Sequence, residues 1–295
     1  MRIVPIQDGF AGQDGFVGEV SGVDLTGALP DATIAAIEAG MDRHAVLVFR
    51  DQALTDDTQR AFTRRFGPLE SAAGGHVTAT AERRLPLDMQ DASNLDQHHN
   101  PLAPDDRRRL FNLGNRLWHS DSSFRAVTAR YSLLSGRIVV SEGGRTEFAD
   151  MRAAHDALDA ETKAEVADLV CEHSLLFSRG VLGFTTLSET EQAMFAPVRH
   201  PLVRVHPVTG QKSLFLSAHA GAIAGWPLPE ARAFLRDLTE HATQRRFVYS
   251  HAWRKNDLVM WDNRATMHRV TRFDEGQVRD MRRTTVSGLP ASIHP

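Results

Sequence analysis

Four stretches of the chain repeat apolar side chains with the three- and four-residue spacing of an amphipathic helix. This pattern predicts helices over residues 31–43, 55–66, 159–170 and 229–242. The second of them opens with Thr55 and Asp56, which suit a helix N-cap, and it closes at Gly67-Pro68, a stop signal. The first leads into the short apolar segment "HAVLVFR", which we predict to be a strand.

Short apolar segments dominate the second half of the chain and predict β-strands. In order they read "ARYSLLSGRIVV", "LVRVHP", "KSLFLSAH", "RFVYSHAW", "DLVMWDN" and "RRTTVSG", with the hairpin turn signal "VTGQ" between the second and the third. Alternating βαβ units are not visible, so a parallel doubly wound sheet is disfavoured. We predict an α+β class that is mainly β with flanking helices, built on an antiparallel sandwich or jelly roll.

Residues 70–112 break this pattern. The segment is rich in Gly, Asp, Asn, Pro and charged residues, and it has little periodicity. A structureless segment of this length in a compact domain is usually functional or disordered. We therefore predict a variable loop or lid beside the core, within a single domain over residues 1–295.

The composition narrows the class of protein. Hydrophobic residues at 42%, charged residues at 24% and a net charge of −3 are ordinary for a globular chain and indicate neither a nucleic-acid nor a membrane partner. The single cysteine, Cys171, fits a reducing compartment, and on its predicted helix it is interpreted as a buried small side chain rather than a nucleophile. The N-terminus lacks the apolar core of a signal peptide, and we expect a cytoplasmic protein.

The stretch "LWHSDSSF" places His119 and Asp121 two positions apart. On an extended segment, both side chains project to the same face. If that face is buried, a metal, a hydrogen-bond network or solvent must satisfy them. Two histidines and one carboxylate are the ligand set of non-haem Fe(II) oxygenases, which leave positions open for a cosubstrate and O₂. A His-x-Asp triplet also occurs in ordinary loops, so an iron site requires a second, distant histidine.

The segment "DLVMWDNRATMHR" supplies a candidate, His268, after an apolar strand and a turn. Its pattern also fits a core or surface histidine. Arg279 and Arg283 follow it by eleven and fifteen residues. The planar fork of arginine suits bidentate capture of a carboxylate, and an inward arginine without a carboxylate is costly to bury. Either arginine alone also fits an exposed charge in the basic run "RDMRRTT".

This ordered set resembles the Fe(II)/2-oxoglutarate dioxygenases of the taurine dioxygenase family, and it is most similar to their 2,4-dichlorophenoxyacetate (aryloxyalkanoate) branch. The segments "VLVFRDQALT", "FTRRFGPLE", "LWHSDSSF", "ARYSLLSG", "GGRTEFADMRAAHDAL", "HATQRRFVYSHAW" and "DLVMWDNRATMHR" follow that branch in order. The resemblance covers nearly the whole chain. It implies a double-stranded β-helix, or jelly-roll, core.

The resemblance also implies roles for the residues around the iron. The metal ligands would be His119, Asp121 and His268. Arg279 would bind the distal carboxylate of 2-oxoglutarate, and Thr146 would donate its hydroxyl to the same group. Trp253 matches a tryptophan that lines the cosubstrate pocket, with core packing as the alternative.

On the substrate side, Arg283 would hold the carboxylate of the primary substrate. Asn115 and His219 are candidates for lining the substrate pocket, and for His219 a structural role stays open. The herbicide-degrading relatives carry a lysine near the start of the variable loop, where this chain has "SAAGGHVTATAERR". His76 in that segment is a candidate substrate contact.

The implied reaction is hydroxylation of an aryloxyalkanoate, such as 2,4-dichlorophenoxyacetate, at the carbon next to the ether oxygen. It consumes 2-oxoglutarate and O₂ and yields a phenol, glyoxylate, succinate and CO₂. The alternatives are the same chemistry on an alkylsulfonate such as taurine, an alkyl sulfate or a chiral 2-aryloxypropionate, because Arg283 suits each of these anions. A zinc hydrolase with the same ligands and a cupin-like binding module also stay open. We expect a small anionic substrate and a homo-oligomer.

Overall fold

The computed structural model describes residues 1–6, 15–72 and 82–288. Within these ranges the strands are β1 (Arg2–Pro5), β2 (Val17–Ser21), β3 (Val46–Phe49), β4 (Gln90–Asp91), β5 (Ala129–Ile138), β6 (Thr146–Asp150), β7 (Val170–His173), β8 (Val198–Pro201), β9 (Val203–Val205), β10 (Lys212–Leu214), β11 (Ala220–Ile223), β12 (Val248–His251), β13 (Leu258–Asp262), β14 (Thr266–Val270) and β15 (Asp280–Ser287). The α-helices are α1 (Asp31–His44), α2 (Asp56–Arg64), α3 (Arg107–Asn112), α4 (Met151–Asp156), α5 (Ala160–Val166), α6 (Leu175–Val181), α7 (Glu189–Met194) and α8 (Leu228–Ala242). Among these described helices, none has the length and apolar character to cross a membrane.

The largest sheet has seven strands in the order β1-β2-β3-β13-β5-β15-β4. Its strands pair antiparallel, as predicted, except that β2 and β3 are parallel. The helix α1 connects β2 to β3 in a single βαβ unit that the sequence pattern did not show, while the rest of the sheet is antiparallel and not doubly wound. The sequence pattern missed β2 because Gly18 and Glu19 interrupt its short apolar run.

Both faces of this large sheet are covered. On one face, apolar side chains of β3, β5 and β13 pack with those of α1 and α2. On the other face, Val48, Val259 and Trp261 pack with Phe148 and Tyr249 of a second sheet, whose order is β12-β6-β14. Two sheets therefore enclose one apolar layer, with helices outside. This arrangement confirms the predicted class of sheets with flanking helices.

The remaining strands form two smaller sheets, in the orders β11-β7-β8 and β10-β9. The hairpin β9–β10 confirms the predicted turn at "VTGQ". Cys171 is buried on β7, so its placement on a helix is wrong, although its burial is as predicted. The helical spacing of residues 159–170 ends early because Val170–His173 pairs with strands on both sides. Burial raises the pKa of the Cys171 thiol to about 12.

The segment 70–112 contains more structure than its composition predicts. β4 pairs with β15, and α3 begins at a cap in which the Arg108 amide donates to the Asp106 carboxylate at 2.8 Å. The Asn94 side chain donates to the carbonyl of Gln277 at 2.8 Å and accepts from the amide of Arg279 at 2.9 Å. Tertiary contacts of this kind have no periodic signature, so the prediction of a structureless loop is wrong for residues 90–91 and 107–112.

Candidate metal centre and substrate pocket

His119 and His268 lie opposite each other on two antiparallel segments. The amide of His119 donates to the carbonyl of His268 at 3.0 Å, and the amide of His268 donates to the carbonyl of His119 at 2.8 Å. Directly opposed residues of an antiparallel pair place their side chains on the same face. The two imidazole centroids are accordingly 4.2 Å apart.

Asp121 completes the cluster from the turn that follows His119. Its two carboxylate oxygens lie 3.9 Å from Nε2 of His119 and 3.7 Å from Nε2 of His268. The candidate ligand atoms of the three residues all lie within 4.8 Å of one another, and the three side chains are buried. Two nitrogens and one carboxylate oxygen on a common centre match the donor set of a non-haem Fe(II) site.

Neighbouring polar groups orient the cluster. Nδ1–H of His119 donates to the carbonyl of Leu117 at 2.8 Å, which leaves the lone pair of Nε2 for a metal. The Ser132 hydroxyl donates to Asp121 at 2.7 Å and accepts from the Asn263 amide group at 3.0 Å. Such outer contacts fix the angle at which each ligand meets an ion.

The protonation states of the cluster also fit a divalent metal. Burial lowers the pKa of His119 and takes that of His268 well below its usual range. Burial acts to raise the pKa of Asp121, but the charge of Arg283 and the hydrogen bond from Ser132 oppose it, and the pKa is lowered. Neutral imidazoles and an ionised carboxylate are the forms that bind a metal. The cluster can therefore hold Fe(II).

Arg279, Trp253 and Thr146 lie together on one side of the cluster. Arg279 and Trp253 line a common cavity, and the Trp253 indole N–H donates to the Thr146 hydroxyl at 2.9 Å. The Arg279 guanidinium donates to the carbonyl of Ala92 at 3.0 Å, and among the described residues no carboxylate forms an ion pair with it. Burial lowers its pKa to about 10. The structure thus brings the predicted cosubstrate residues to one place, around an arginine that forms no ion pair among the described residues, although Glu275 acts on its charge from a distance.

A second pocket opens over His119 and Asp121. Three predicted substrate residues line it: Asn115, His219 and Arg283. Nδ1 of His219 hydrogen-bonds the hydroxyl of Ser178 at 2.9 Å, and the ring centroid lies 6.0 Å from that of His119. The remaining candidate, His76, lies outside the described residues.

Arg283 differs from its predicted surroundings. Its guanidinium donates to the carboxylate of Asp121 and to the side-chain oxygen of Gln90. It is thus an arginine that already has an acidic partner, and that partner is a candidate metal ligand. The contact between Arg283 and Gln90 follows from the pairing of β4 with β15, which places the two residues opposite each other.

Four charged residues of this pocket were missed from the sequence: Glu70, Asp88, Arg125 and Arg179. Glu70 accepts from the Ser122 hydroxyl at 2.6 Å and lies 3.4 Å from Arg125. Burial, the largest influence, raises its pKa. A signal for Arg179 was available, because it is a lone charge in the apolar stretch "LLFSRGVLGF".

Comparisons with known proteins agree with this geometry. The family model "Taurine catabolism dioxygenase TauD, TfdA family" matches residues 5–285. The chain is 45% identical over 282 residues to the alpha-ketoglutarate-dependent 2,4-dichlorophenoxyacetate dioxygenase of Burkholderia sp. (strain RASC), which covers 95% of this chain and 94% of that protein. It is 38% identical over 277 residues to the (S)-phenoxypropionate/alpha-ketoglutarate-dioxygenase of Delftia acidovorans, covering 92% and 91%.

A solved structure agrees more closely still. The crystal structure of AAD-2 in complex with Mn(II) and N-oxalylglycine superposes with a TM-score of 0.95 at 57% identity, covering 99% of this chain and 100% of that chain. These likenesses and the His-Asp-His cluster confirm the predicted 2-oxoglutarate-dependent iron dioxygenase, with O₂ as cosubstrate. They favour it over a zinc hydrolase or a binding module. The chain belongs to the taurine catabolism dioxygenase TauD, TfdA family.

Proposed function

We propose that the protein hydroxylates an aryloxyalkanoate, such as 2,4-dichlorophenoxyacetate, at the carbon next to the ether oxygen. The hydroxylated product collapses to a phenol and glyoxylate, while 2-oxoglutarate is converted to succinate and CO₂. The observation that supports this most is the buried cluster of His119, Asp121 and His268, with a cavity lined by Arg279 near it and a pocket lined by three arginines over it. Two relatives named for aryloxyalkanoates, at 45% and 38% identity, support the substrate class.

The metal-binding residues have the first task in this proposal. His119, Asp121 and His268 would hold Fe(II), which with 2-oxoglutarate and O₂ supplies the oxidation of a C–H bond. The contact of His119 with the Leu117 carbonyl keeps Nε2 directed to the metal. The hydroxyl of Ser132 keeps Asp121 from rotating away. Burial of all three side chains limits the access of water.

The cosubstrate residues have the second task. Arg279 would form a bidentate ion pair with the distal carboxylate of 2-oxoglutarate, since among the described residues it forms no ion pair and Glu275 acts on it only from a distance. The hydroxyl of Thr146 would donate to the same carboxylate while it accepts from Trp253. Trp253 would form one wall of the cavity.

The substrate residues have the third task, which is positioning. Arg283 would bind the carboxylate of the aryloxyalkanoate, and Asn115, His219 and the variable loop with His76 would enclose it. Phe124 and Leu175 give the pocket over the metal ligands an apolar wall for the aromatic ring. A substrate fixed at its carboxylate and at its ring presents the carbon between them to the metal, and such positioning accounts for much of catalysis.

The proposal extends to the architecture and setting of the enzyme. We infer a double-stranded β-helix, or jelly-roll, core within a single domain over residues 1–295. The two sheets that enclose one apolar layer support it. We also propose a cytoplasmic homo-oligomer that acts on small anions and binds neither nucleic acid nor membranes. The single cysteine and the net charge of −3 support that setting.

A substrate panel tests the proposal. The protein is supplied with Fe(II), ascorbate, 2-oxoglutarate and O₂, and succinate is measured with 2,4-dichlorophenoxyacetate, each enantiomer of a 2-aryloxypropionate, taurine and an alkyl sulfate. We expect succinate and a phenol in equal amounts from the aryloxyacetate. The (S)-aryloxypropionate is the second candidate because of the 38% identical relative. Succinate formation driven only by taurine or the alkyl sulfate would refute the proposed substrate class.

A further inference from the structure

Arg179 is a buried cation that has no acidic partner among the residues the structure describes. It lies on α6 with 5% of its surface exposed. Its guanidinium carbon is 4.4 Å from the centroid of the Phe111 ring, and Nη1 donates to the Ser178 hydroxyl at 3.3 Å. Among the described residues no carboxylate pairs with it, and its Nε has no hydrogen-bond partner. Burial lowers its pKa to about 10, so the side chain stays charged at neutral pH.

The backbone beside Arg179 is shaped to the guanidinium. A Cβ placed on Gly114 would lie 2.0 Å from Nη1 and 2.1 Å from the guanidinium carbon of Arg179. Only glycine leaves room for such a close approach. The guanidinium is therefore held between the Phe111 ring and the Gly114 backbone. A cation fixed in this way, and left unpaired, is costly unless it serves a ligand.

Ser178 fixes one edge of the guanidinium. Its single hydroxyl proton lies toward the carbonyl of Leu175 at 3.2 Å, so its oxygen can accept from Nη1 of Arg179 and from Nδ1–H of His219. Burial, the largest influence, takes the pKa of His219 well below its usual range, and that imidazole is neutral. His219 thus supports the position of Arg179 without sharing its charge.

Arg179 lines the same pocket as His119, Asp121 and Arg283. The other two arginines of this pocket already have acidic partners: Arg283 contacts Asp121, and Arg125 lies 3.4 Å from Glu70. Arg179 therefore contributes the uncompensated positive charge of the pocket wall. A carboxylate, sulfonate or sulfate that entered the pocket would find an unused planar donor fork.

We propose that Arg179 binds the anionic group of the primary substrate and shares it with Arg283. The inference rests on the proposed function, and it makes Arg179 a determinant of specificity for anions. It accounts for the fit at Gly114 and for the missing acidic partner, which packing alone leaves unexplained.

Arg204 provides a matched control. It is partly buried and has no acidic partner among the described residues, and desolvation lowers its pKa to about 10 as well. Its guanidinium carbon lies 3.4 Å from the Phe215 ring centroid, and Nη1 donates to the Thr128 hydroxyl at 3.1 Å. Unlike Arg179, it does not line the pocket over the metal ligands. Its replacement removes a partly buried arginine that lacks an acidic partner among the described residues, away from the pocket over the metal ligands.

The test compares Arg179→Gln, Arg204→Gln and Gly114→Ala in the Fe(II)-loaded enzyme. We expect Arg179→Gln to raise the KM for the aryloxyacetate by at least about 10-fold, because a hydrogen-bonded charge partner is lost. The KM for 2-oxoglutarate should stay within about 2-fold of the parent. Arg204→Gln should leave both KM values unchanged. Gly114→Ala keeps the charge of Arg179 but displaces it, so it should also raise the KM for the aryloxyacetate. If Arg179→Gln does not fold, the KM of Gly114→Ala tests the role of Arg179.

The outcomes separate this inference from the proposed function. A KM for the aryloxyacetate that stays within about 2-fold in both Arg179→Gln and Gly114→Ala overturns the role of Arg179 and leaves the proposed function intact. An equal rise in the KM for 2-oxoglutarate would also overturn it, because the role would then be structural. If the parent enzyme responds only to taurine or an alkyl sulfate, and Arg179→Gln weakens that response, the inference stands and the proposed substrate falls. If no anion of the panel increases succinate formation, both are refuted.

Discussion

Arg279 and Arg283 are four residues apart, yet they lie in opposite electrostatic surroundings. Arg279, on the proposed cosubstrate side of the metal cluster, has main-chain carbonyl acceptors and no ion pair within the described residues. Arg283, on the substrate side, contacts the carboxylate of Asp121. The first arginine is available for an anion as it stands. The second shares its acidic partner with any metal that binds, so its availability depends on the metal.

The metal cluster serves both sides, and its loss should have the largest effect. We expect His119→Ala to reduce succinate formation to the background of metal-free protein, because one of three ligands is removed. The metal content after dialysis measures the loss of iron binding, and succinate release measures the loss of activity. His241→Ala is the matched control, since that ring contacts the Ala154 carbonyl away from the site. A His119→Ala protein with full iron content and near-normal activity would discard the ligand assignment.

Arg279→Met tests the cosubstrate side. It should raise the KM for 2-oxoglutarate by about 100-fold to 1,000-fold, because the distal carboxylate loses its buried charge partner. The free energy of unfolding without 2-oxoglutarate should fall by less than about 1 kcal/mol or rise, since removing an uncompensated buried charge relieves its desolvation. Kinetics and chemical denaturation measure the two quantities. A large loss of stability with an unchanged KM would show that Arg279 is structural.

Arg283→Leu should give a different result for stability. In metal-free protein it leaves Asp121 buried without its arginine, and we expect unfolding to become easier by about 3 kcal/mol. With Fe(II) bound the loss of unfolding free energy should be smaller, because the metal cation then compensates the negative charge of Asp121. The KM for the aryloxyacetate should rise by a factor that corresponds to a loss of about 2–4 kcal/mol in binding free energy. Equal changes in stability for Arg279→Met and Arg283→Leu, in both metal states, would remove the contrast between the two sides.

The same contrast explains what the sequence could and could not predict. The convergence of His119 and His268 was expected from the resemblance to the dioxygenase family, because the strand, turn and return strand around His268 also fit a core histidine. The placement of Arg279 beside Thr146 and Trp253 was expected on the same ground. The ion pair of Arg283 with Asp121 was not, because contacts across 162 positions of the chain have no local pattern. Arg179 escaped notice because its partners come from a different segment, around Gly114 and Phe111.

The strand positions show a similar limit. The segments "DLVMWDN" and "RRTTVSG" have long apolar or β-branched runs, and they form β13 and β15 as predicted. β4 has only two residues, Gln90 and Asp91, and no periodicity can identify it. Its pairing with β15 nevertheless brings Gln90 to Arg283. A short polar strand thus shapes the substrate side, which is why that side was harder to predict than the cosubstrate side.

Thr146→Val should have the smallest effect and sharpens the comparison on the cosubstrate side. Valine preserves the shape of the buried side chain but removes the hydroxyl that would donate to 2-oxoglutarate, so the KM for 2-oxoglutarate should rise by about 5-fold to 10-fold. The Trp253 indole N–H also loses its acceptor at 2.9 Å, and an unpaired buried donor should cost about 1–2 kcal/mol of unfolding free energy.

Thr146→Ser is the matched control, because it keeps the hydroxyl and should restore most of the affinity for 2-oxoglutarate. The order of effects is the informative quantity. If Thr146→Val weakens the binding of 2-oxoglutarate as much as Arg279→Met does, the hydroxyl and not the guanidinium provides most of the binding energy. The uncompensated charge of Arg279 would then have no functional counterpart. If the order is as expected, the binding of 2-oxoglutarate depends chiefly on Arg279, which forms no ion pair among the described residues. The Thr146 hydroxyl then makes the smaller contribution.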